Sequence, residues 1–293
     1  MPPLPSVAVW LAMIKHNLFG LTVQMYLDAD LYDRGQPLDS VIHFLTVTLK
    51  ELNWNDGRKN VVMDVGCGPG NTTIEWILPL FSNLDKLIAL DSLPSMIERA
   101  TAKNCHPKVE YHIADFNDRS AVERWKGKIT KLISVNCFHW FKDQEKSFQL
   151  VYDLLQTGGE AACYFLLGSY LYDAMIQIKS DPKWKDYFEE VDMCIPESHF
   201  NKYDSSHYRK MVENIGFEVV LCQSEIKINR LPSHEKAKDR FYSVCPLVPL
   251  VPENQREIFK EELYQCILEK SATKDDEMPL HKASTLEIVI KKT

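Results

Sequence analysis

The 293-residue chain contains no apolar run long enough to cross a bilayer. Its longest, Val7 to Ile14 and Ala161 to Leu167, fall far short of the roughly 20 residues a helical span needs. No Lys/Arg block is present either. With 34 basic against 41 acidic residues the formal charge is −7, so the electrostatic footprint of a nucleic-acid binder is missing and a small-molecule ligand is favoured. Closely spaced cysteines are also lacking. The eight stand at 67, 105, 137, 163, 194, 222, 245 and 266, the nearest pair 266 − 245 = 21 residues apart. That spacing excludes a C-x-x-C zinc or redox motif and argues against a disulfide framework, so no metal is expected. Cysteines in apolar surroundings, such as Cys137 and Cys163, read as small buried residues in a reducing compartment, hence a cytoplasmic protein.

What remains is an ordinary globular balance, 45% hydrophobic and 26% charged, in a length that suits one α/β domain with a helical annex. Residues 1–24 match the rest poorly. They hold a short apolar stretch with no preceding positive charge and with Lys15 and His16 where a cleavage site would fall; a weak signal peptide is one reading, and a non-core extension before a natural start at Met25 is the favoured one. Residues 25–57 form an N-terminal helical segment, with Leu38, Val41, Ile42, Leu45, Leu49 and Leu52 at helical spacing. Between 58 and 168, apolar β-rich runs alternate with helical stretches. Strands are expected at Val61–Val65, Leu87–Leu90, Val109–Ile113, Leu132–Asn136 and Glu160–Leu167, which implies βαβ units and a parallel sheet flanked by helices. Residues 169–205 read as an aromatic-rich helical insertion. In 206–293, strands at Phe217–Ile228 and Leu286–Ile290 flank a second helical insertion over about Ser233 to Lys270.

The segment Val61 to Thr73 carries the chemistry. A buried strand runs into Gly66-Cys67-Gly68-Pro69-Gly70, and a helix begins where Asn71 or Thr72 can cap it. Glycines let backbone approach a ligand closely, and the helix start offers free N–H donors. A dinucleotide site would want Gly-x-Gly-x-x-Gly, but its third glycine position is Asn71 here. Moreover an acid, Asp64, stands inside the motif. Beside a pyrophosphate it would repel; beside an ammonium or sulfonium it would attract. Asp91 ends the next strand, where a ribose diol can be gripped. Asp115 follows the third, within reach of an adenine amino group, with Phe116 expected to cover the ring. Acids ending three consecutive strands fall on one edge of a parallel sheet, the edge at which such folds bind ligands.

Over about Asn60 to Leu167 this pattern resembles the class I S-adenosylmethionine-dependent methyltransferases. The resemblance implies an α/β, Rossmann-like doubly wound sheet, mostly parallel with a late antiparallel strand and helical insertions over the ligand site. It implies S-adenosylmethionine as cofactor, with Gly66, Gly68 and Gly70 as cradle, Asp64 beside them, Asp91 on the ribose, and Asp115 and Phe116 at the adenine. Cys67, Ser92, Met96 and Asn136 are assigned to the same neighbourhood.

The fourth strand runs out into Asn136-Cys137-Phe138-His139-Trp140-Phe141. The Asn/Asp-Pro-Pro-Tyr/Phe signature of amino- and base-directed enzymes is missing there. His139 and Trp140 instead offer donors in an apolar wall, which suit an oxygen acceptor such as a carboxylate. With Ala29-Asp30-Leu31-Tyr32 and Phe138 to Gln144, the wider pattern is similar to the arthropod juvenile hormone acid O-methyltransferases. That likeness implies an isoprenoid carboxylic acid such as farnesoic acid as substrate, held by the Trp140 indole N–H. These relatives place a Gln in the N-terminal helix as second carboxylate donor, whereas the aligned position here is Asp39, with Gln36 three residues earlier. Either Gln36 takes the role, or Asp39 points elsewhere, or the substrate differs.

Carboxyl methylation needs no general base, since the acceptor is ionised at neutral pH; alignment in a dry cavity supplies the rate. The aromatic insertion and Phe241 to Leu250 are candidate walls. The competing readings are a methyltransferase for another small carboxylate, in the manner of trans-aconitate methyltransferases, and a non-catalytic binder of cofactor or isoprenoid. The chain leaves homodimerisation open.

Overall fold

In β1 (Asn60–Val65) successive side chains face opposite sides of the strand. Val62 enters one apolar core and Met63 and Val65 the other. The same parity holds in β2 (Leu84–Asp91), where Leu87 and Ala89 oppose Ile88 and Leu90. Both faces of the sheet are therefore apolar and both are covered, as parallel strands require. The computed structural model describes residues 29–293 apart from 36, 55–56, 189–194 and 272–276. The expected extension over residues 1–24 and the start at Met25 lie outside the described residues.

Seven strands form one sheet in the order β3-β2-β1-β4-β5-β7-β6, with β3 spanning Val109–Ile113, β4 Ile129–Val135, β5 Leu155–Ser169, β6 Phe217–Arg230 and β7 Leu280–Lys292. Strands β1 to β5 pair in parallel, and β7 is antiparallel to both β5 and β6. This is the doubly wound sheet with a late antiparallel strand. The chain reverses between β1 and β4, and that switch point opens a crevice at the carboxyl ends of the strands.

One face is covered by a short helix α1 (Ala29–Asp33), by a helix that starts as α2 (Asp39–His43) and widens into a π-helical turn at Phe44–Thr48, and by the two insertions. The first insertion holds α3 (Tyr170–Lys179). The second holds α4 (His234–Ser243) and α5 (Arg256–Ser271). Their apolar residues make a single core with the sheet. Trp184 and Phe188 pack on Phe259, so the two insertions are bonded to each other as well as to the strands. The opposite face is built on Phe138, Phe148, Phe165 and Tyr208.

Gly158 and Gly159 lie inside β5, where the register against β4 slips between Ile129 and Lys131. A Cβ at Gly159 would stand 2.9 Å from the Ile129 carbonyl, so only glycine lets β4 and β5 close at that slip. Neither Asn71 nor Thr72 caps the helix after the glycine turn through its side chain; Thr72 makes no cap bond, and the Asn71 amide is drawn to Asp33 instead. Of the aromatics in the first insertion, expected as a candidate wall, Phe200 is 59% exposed, its ring against that of His199. The cysteines are less uniformly buried than expected: Cys67, Cys163 and Cys245 are buried, Cys105 is exposed, and Cys137 is partly covered.

Candidate active site

Asp64 shares the parity of Val62, so its side chain emerges on the face that carries the insertions. It is only 3% exposed, and the Thr73 hydroxyl donates to its Oδ2 at 2.6 Å. Burial drives its pKa up to about 7; the Thr73 bond opposes this, and the nearby Asp91 charge adds to it. Asp91 follows Leu87 and Ala89 onto the same face. Its Oδ2 accepts from the Gly68 N–H at 2.9 Å and its Oδ1 from the Leu93 N–H at 2.9 Å. Burial raises its pKa too, against the pull of those backbone donors and of Ser92. Beyond these backbone donors the carboxylate keeps acceptor capacity for a ligand diol.

The turn between the acids is forced to be glycine. At Gly66 (φ 78°) a Cβ would stand 2.5 Å from Cys137 Cβ and Sγ, and at Gly70 (φ 83°) it would stand 2.7 Å from the Tyr111 hydroxyl. Cys67, within the turn, and Met96 are buried, and Ser92 is exposed. Asp115 follows β3 and is tied to Asp91 through the backbone, Ala114 N–H donating to the Asp91 carbonyl at 2.9 Å. Its side chain is exposed and accepts from the Asn117 N–H at 2.9 Å. Asp64 and Asp91 thus meet in the interior, while Asp115 occupies the same sheet edge in solvent. The Phe116 ring is 3% exposed and stacks on Phe141 at 5.8 Å in the opposite core. Asn136 adopts a left-handed φ of 54°, and its buried Oδ1 has no hydrogen-bond partner. An unused acceptor, two buried acids and a cradle without side chains fit a cationic, hydroxyl-rich nucleoside, and S-adenosylmethionine is such a molecule.

Beyond Asn136, residues Phe138–Trp140 form one helical turn. His139 is 5% exposed with Nδ1 unpartnered, and burial lowers its pKa to about 3, so the imidazole is neutral. Its ring lies 4.5 Å from that of Trp140. Trp140 is half-buried against the core of the insertions, and among the described residues its indole N–H has no hydrogen-bond partner. Asp39 begins α2 and is exposed; Gln36 lies outside the described residues.

Three contributors escaped the sequence reading. Tyr32 of α1 reaches across the glycine turn, its Cε1 3.5 Å from where a Gly68 Cβ would stand. Its neighbour Asp33 binds Arg99 Nε at 2.6 Å, Lys103 Nζ at 2.7 Å and Asn71 Nδ2 at 2.9 Å, clasping α1 to the turn and to the helix Pro94–Lys103. Burial alone would raise the Asp33 pKa, but the bonds to Lys103, Arg99 and Asn71 hold it at about 2. Arg240 of α4 comes to the same rim. The motif around Tyr32 was visible in sequence, but no local spacing links positions 33, 71, 99 and 240.

Comparison with known proteins gives the family and the fold. A family model described as a methyltransferase domain matches residues 36–221. Juvenile hormone acid O-methyltransferase of Drosophila melanogaster is 20% identical over 219 residues, covering 74% of each chain. The Bombyx mori protein of the same name is 23% identical over 198 residues, covering 67% of this chain and 70% of its own. Among solved structures, a candidate methyltransferase from Bacillus halodurans superposes with a TM-score of 0.53 at 15% identity, covering 84% of this chain and 97% of its own, which speaks for the fold. With the family model matching 36–221 and the doubly wound strand order in place, the chain belongs to the methyltransferase domain family and is a class I S-adenosylmethionine-dependent methyltransferase.

Proposed function

We propose that this methyltransferase esterifies a hydrophobic carboxylic acid, of isoprenoid or fatty type, with farnesoic acid or juvenile hormone acid as model acceptors. The observation that carries the reading is the Trp140 indole N–H, a donor without a partner among the described residues, set in the apolar mass of the two insertions. A carboxylate can accept from it, and an apolar tail can replace water along the insertion core. The relatives named for juvenile hormone acid, and a malonyl-[acyl-carrier protein] O-methyltransferase of Ilyobacter polytropus that is 26% identical over 136 residues, covering 45% of this chain and 48% of its own, are likewise carboxyl-directed by name and support the class of acceptor.

When bound, the cofactor supplies a methyl group already activated on a sulfonium. The chain's own residues bind and orient. Asp91 and the glycine turn hold the nucleoside, and Asp64 offers negative charge to its cationic end. Trp140 fixes the acceptor carboxylate, and neutral His139 adds no competing charge. A general base is unnecessary because the acceptor oxygen is already ionised. The exposed side chain of Asp39 stays hydrated, so the repulsion it would exert inside the site is not incurred.

The experiment is incubation of the full chain with S-adenosylmethionine and a panel of carboxylic acids, with methyl esters read by mass spectrometry. Farnesoic acid is expected to be esterified in preference to tricarboxylates. Trp140→Phe should cut kcat/KM for the acid about 10- to 100-fold, as expected for one charge-assisted bond, with little change in cofactor affinity. Cofactor binding without any ester from the panel would refute the proposal.

A further inference from the structure

The second insertion delivers a cation to a crevice that is otherwise acidic. Helix α4 packs on α1, and the Arg240 guanidinium reaches over the chain at Gly35, with Nη1 3.9 Å from where a Cβ there would stand. Tyr32, which leans on Gly68, feels the charges of both Arg240 and Asp91, though burial is the larger influence on its phenol. Beside them stands His281 of β7, 9% exposed, its ring stacked on Phe241 at 5.8 Å and 15°. Its Nδ1 is buried without a hydrogen-bond partner. Burial first, and the Arg240 charge second, bring the His281 pKa down to about 3, which leaves it neutral. A planar guanidinium fork, a phenol and an imidazole nitrogen with unused capacity make a set that can receive a planar anion.

Asp64 and Asp91 serve a cationic nucleoside, yet they repel any carboxylate that enters the same crevice. A ligand carboxylate there needs a compensating positive group. We propose that Arg240, assisted by Tyr32, receives a ligand carboxylate at the seam between α1 and the second insertion. Two carboxylates can reach that seam, the acceptor's own and that of the cofactor's methionine moiety, and the chemistry of recognition is the same for both. The acceptor arm rests on the function proposed above; the cofactor arm does not.

The test compares the full-length wild type with Arg240→Gln and Arg240→Lys by titration calorimetry on two ligand pairs. One pair is S-adenosylhomocysteine and 5′-methylthioadenosine, which lacks the amino-acid carboxylate. The other is farnesoic acid and its methyl ester. Arg240→Gln is expected to weaken the carboxylate-bearing member of one pair about 10- to 100-fold and to leave its uncharged counterpart within about twofold. Loss on S-adenosylhomocysteine assigns the cofactor carboxylate, and loss on farnesoic acid assigns the acceptor. Arg240→Lys, which keeps the charge and gives up the fork, should show a smaller loss of the same pattern, and it decides the matter if the Gln variant does not fold. Equal losses within each pair, or no loss in either, overturn the proposal. A wild type that binds these ligands but esterifies no acid refutes only the function proposed above, because these readouts report binding rather than turnover.

Discussion

Asp64 makes the unliganded protein's stability depend on pH in an unusual direction. An acid that gains hydrogen-bonded partners on folding usually has a depressed pKa and adds stability as pH rises. Here burial outweighs the Thr73 bond and the folded pKa is about 7 against the ordinary carboxyl value of 3.8. Between those values the folded protein keeps the proton while the unfolded chain releases it, so stability falls as pH rises, by about 1.4 kcal/mol per unit. The window closes near pH 7, above which both states are ionised and the accumulated cost, about 4 kcal/mol, is constant. Asp64→Asn removes the titration and keeps a group that can hydrogen-bond Thr73. The expected outcome is a variant whose stability advantage over wild type is near zero at about pH 4, grows through pH 5 and 6, and levels off above about pH 7. Urea unfolding of both proteins across that range provides the difference, in which the other titrating groups cancel. A cationic ligand should relieve the same cost. The thermal shift given by S-adenosylmethionine should therefore grow from pH 5 to pH 8 in wild type and be nearly flat in Asp64→Asn. Parallel pH profiles for the two unliganded proteins would refute the reasoning, since they would mean that Asp64 ionises inside the fold as readily as in water.

Two further perturbations test the frame around the site. Asp33→Asn breaks the clasp on Arg99 and Lys103, and with a folded pKa of about 2 its contribution of about 2 kcal/mol should be fully present above pH 4 and vanish as pH falls through 2; a loss that persists at pH 2 would show that the carboxylate charge is not what holds α1. Glu160→Gln removes the Glu160 carboxylate from the Lys131 ammonium, whose side chain is 2% exposed and lies over Trp54 at 4.9 Å, and should lower stability measured by chemical denaturation; the double variant Lys131→Met, Glu160→Leu should recover most of the loss, and no difference between single and double variants would contradict the ion-pair reading.

The parts of this molecule that could be read from sequence are those whose geometry is set within a few residues. The alternation in Val61 to Val65 and Leu87 to Asp91 fixes which side chains share a face, and that suffices to bring Asp64 and Asp91 to one crevice. The glycine turn carries its own signature, since Gly66 and Gly70 adopt positive φ, although the groups that crowd a Cβ there, Cys137 after β4 and Tyr111 in β3, are brought in by the sheet. Phe116 marks the limit of this approach. Its position after β3 suggests a ring over the adenine, but the ring packs in the opposite core against Phe138 and Phe141, a choice made by packing and not by spacing. The same holds for Asn71, whose side chain prefers Asp33 and Asn104 to a cap because α1 folds back across the turn. Arg240 is the extreme case. It lies more than 200 residues from Tyr32 in the chain and comes to it only because α4 docks on α1. A cofactor cradle built on consecutive βαβ units therefore announces itself in the sequence, whereas the groups that choose among acceptors come from insertions whose placement depends on the whole core. Selectivity can then change through substitutions in α1 and α4 while the strand-end acids stay as they are.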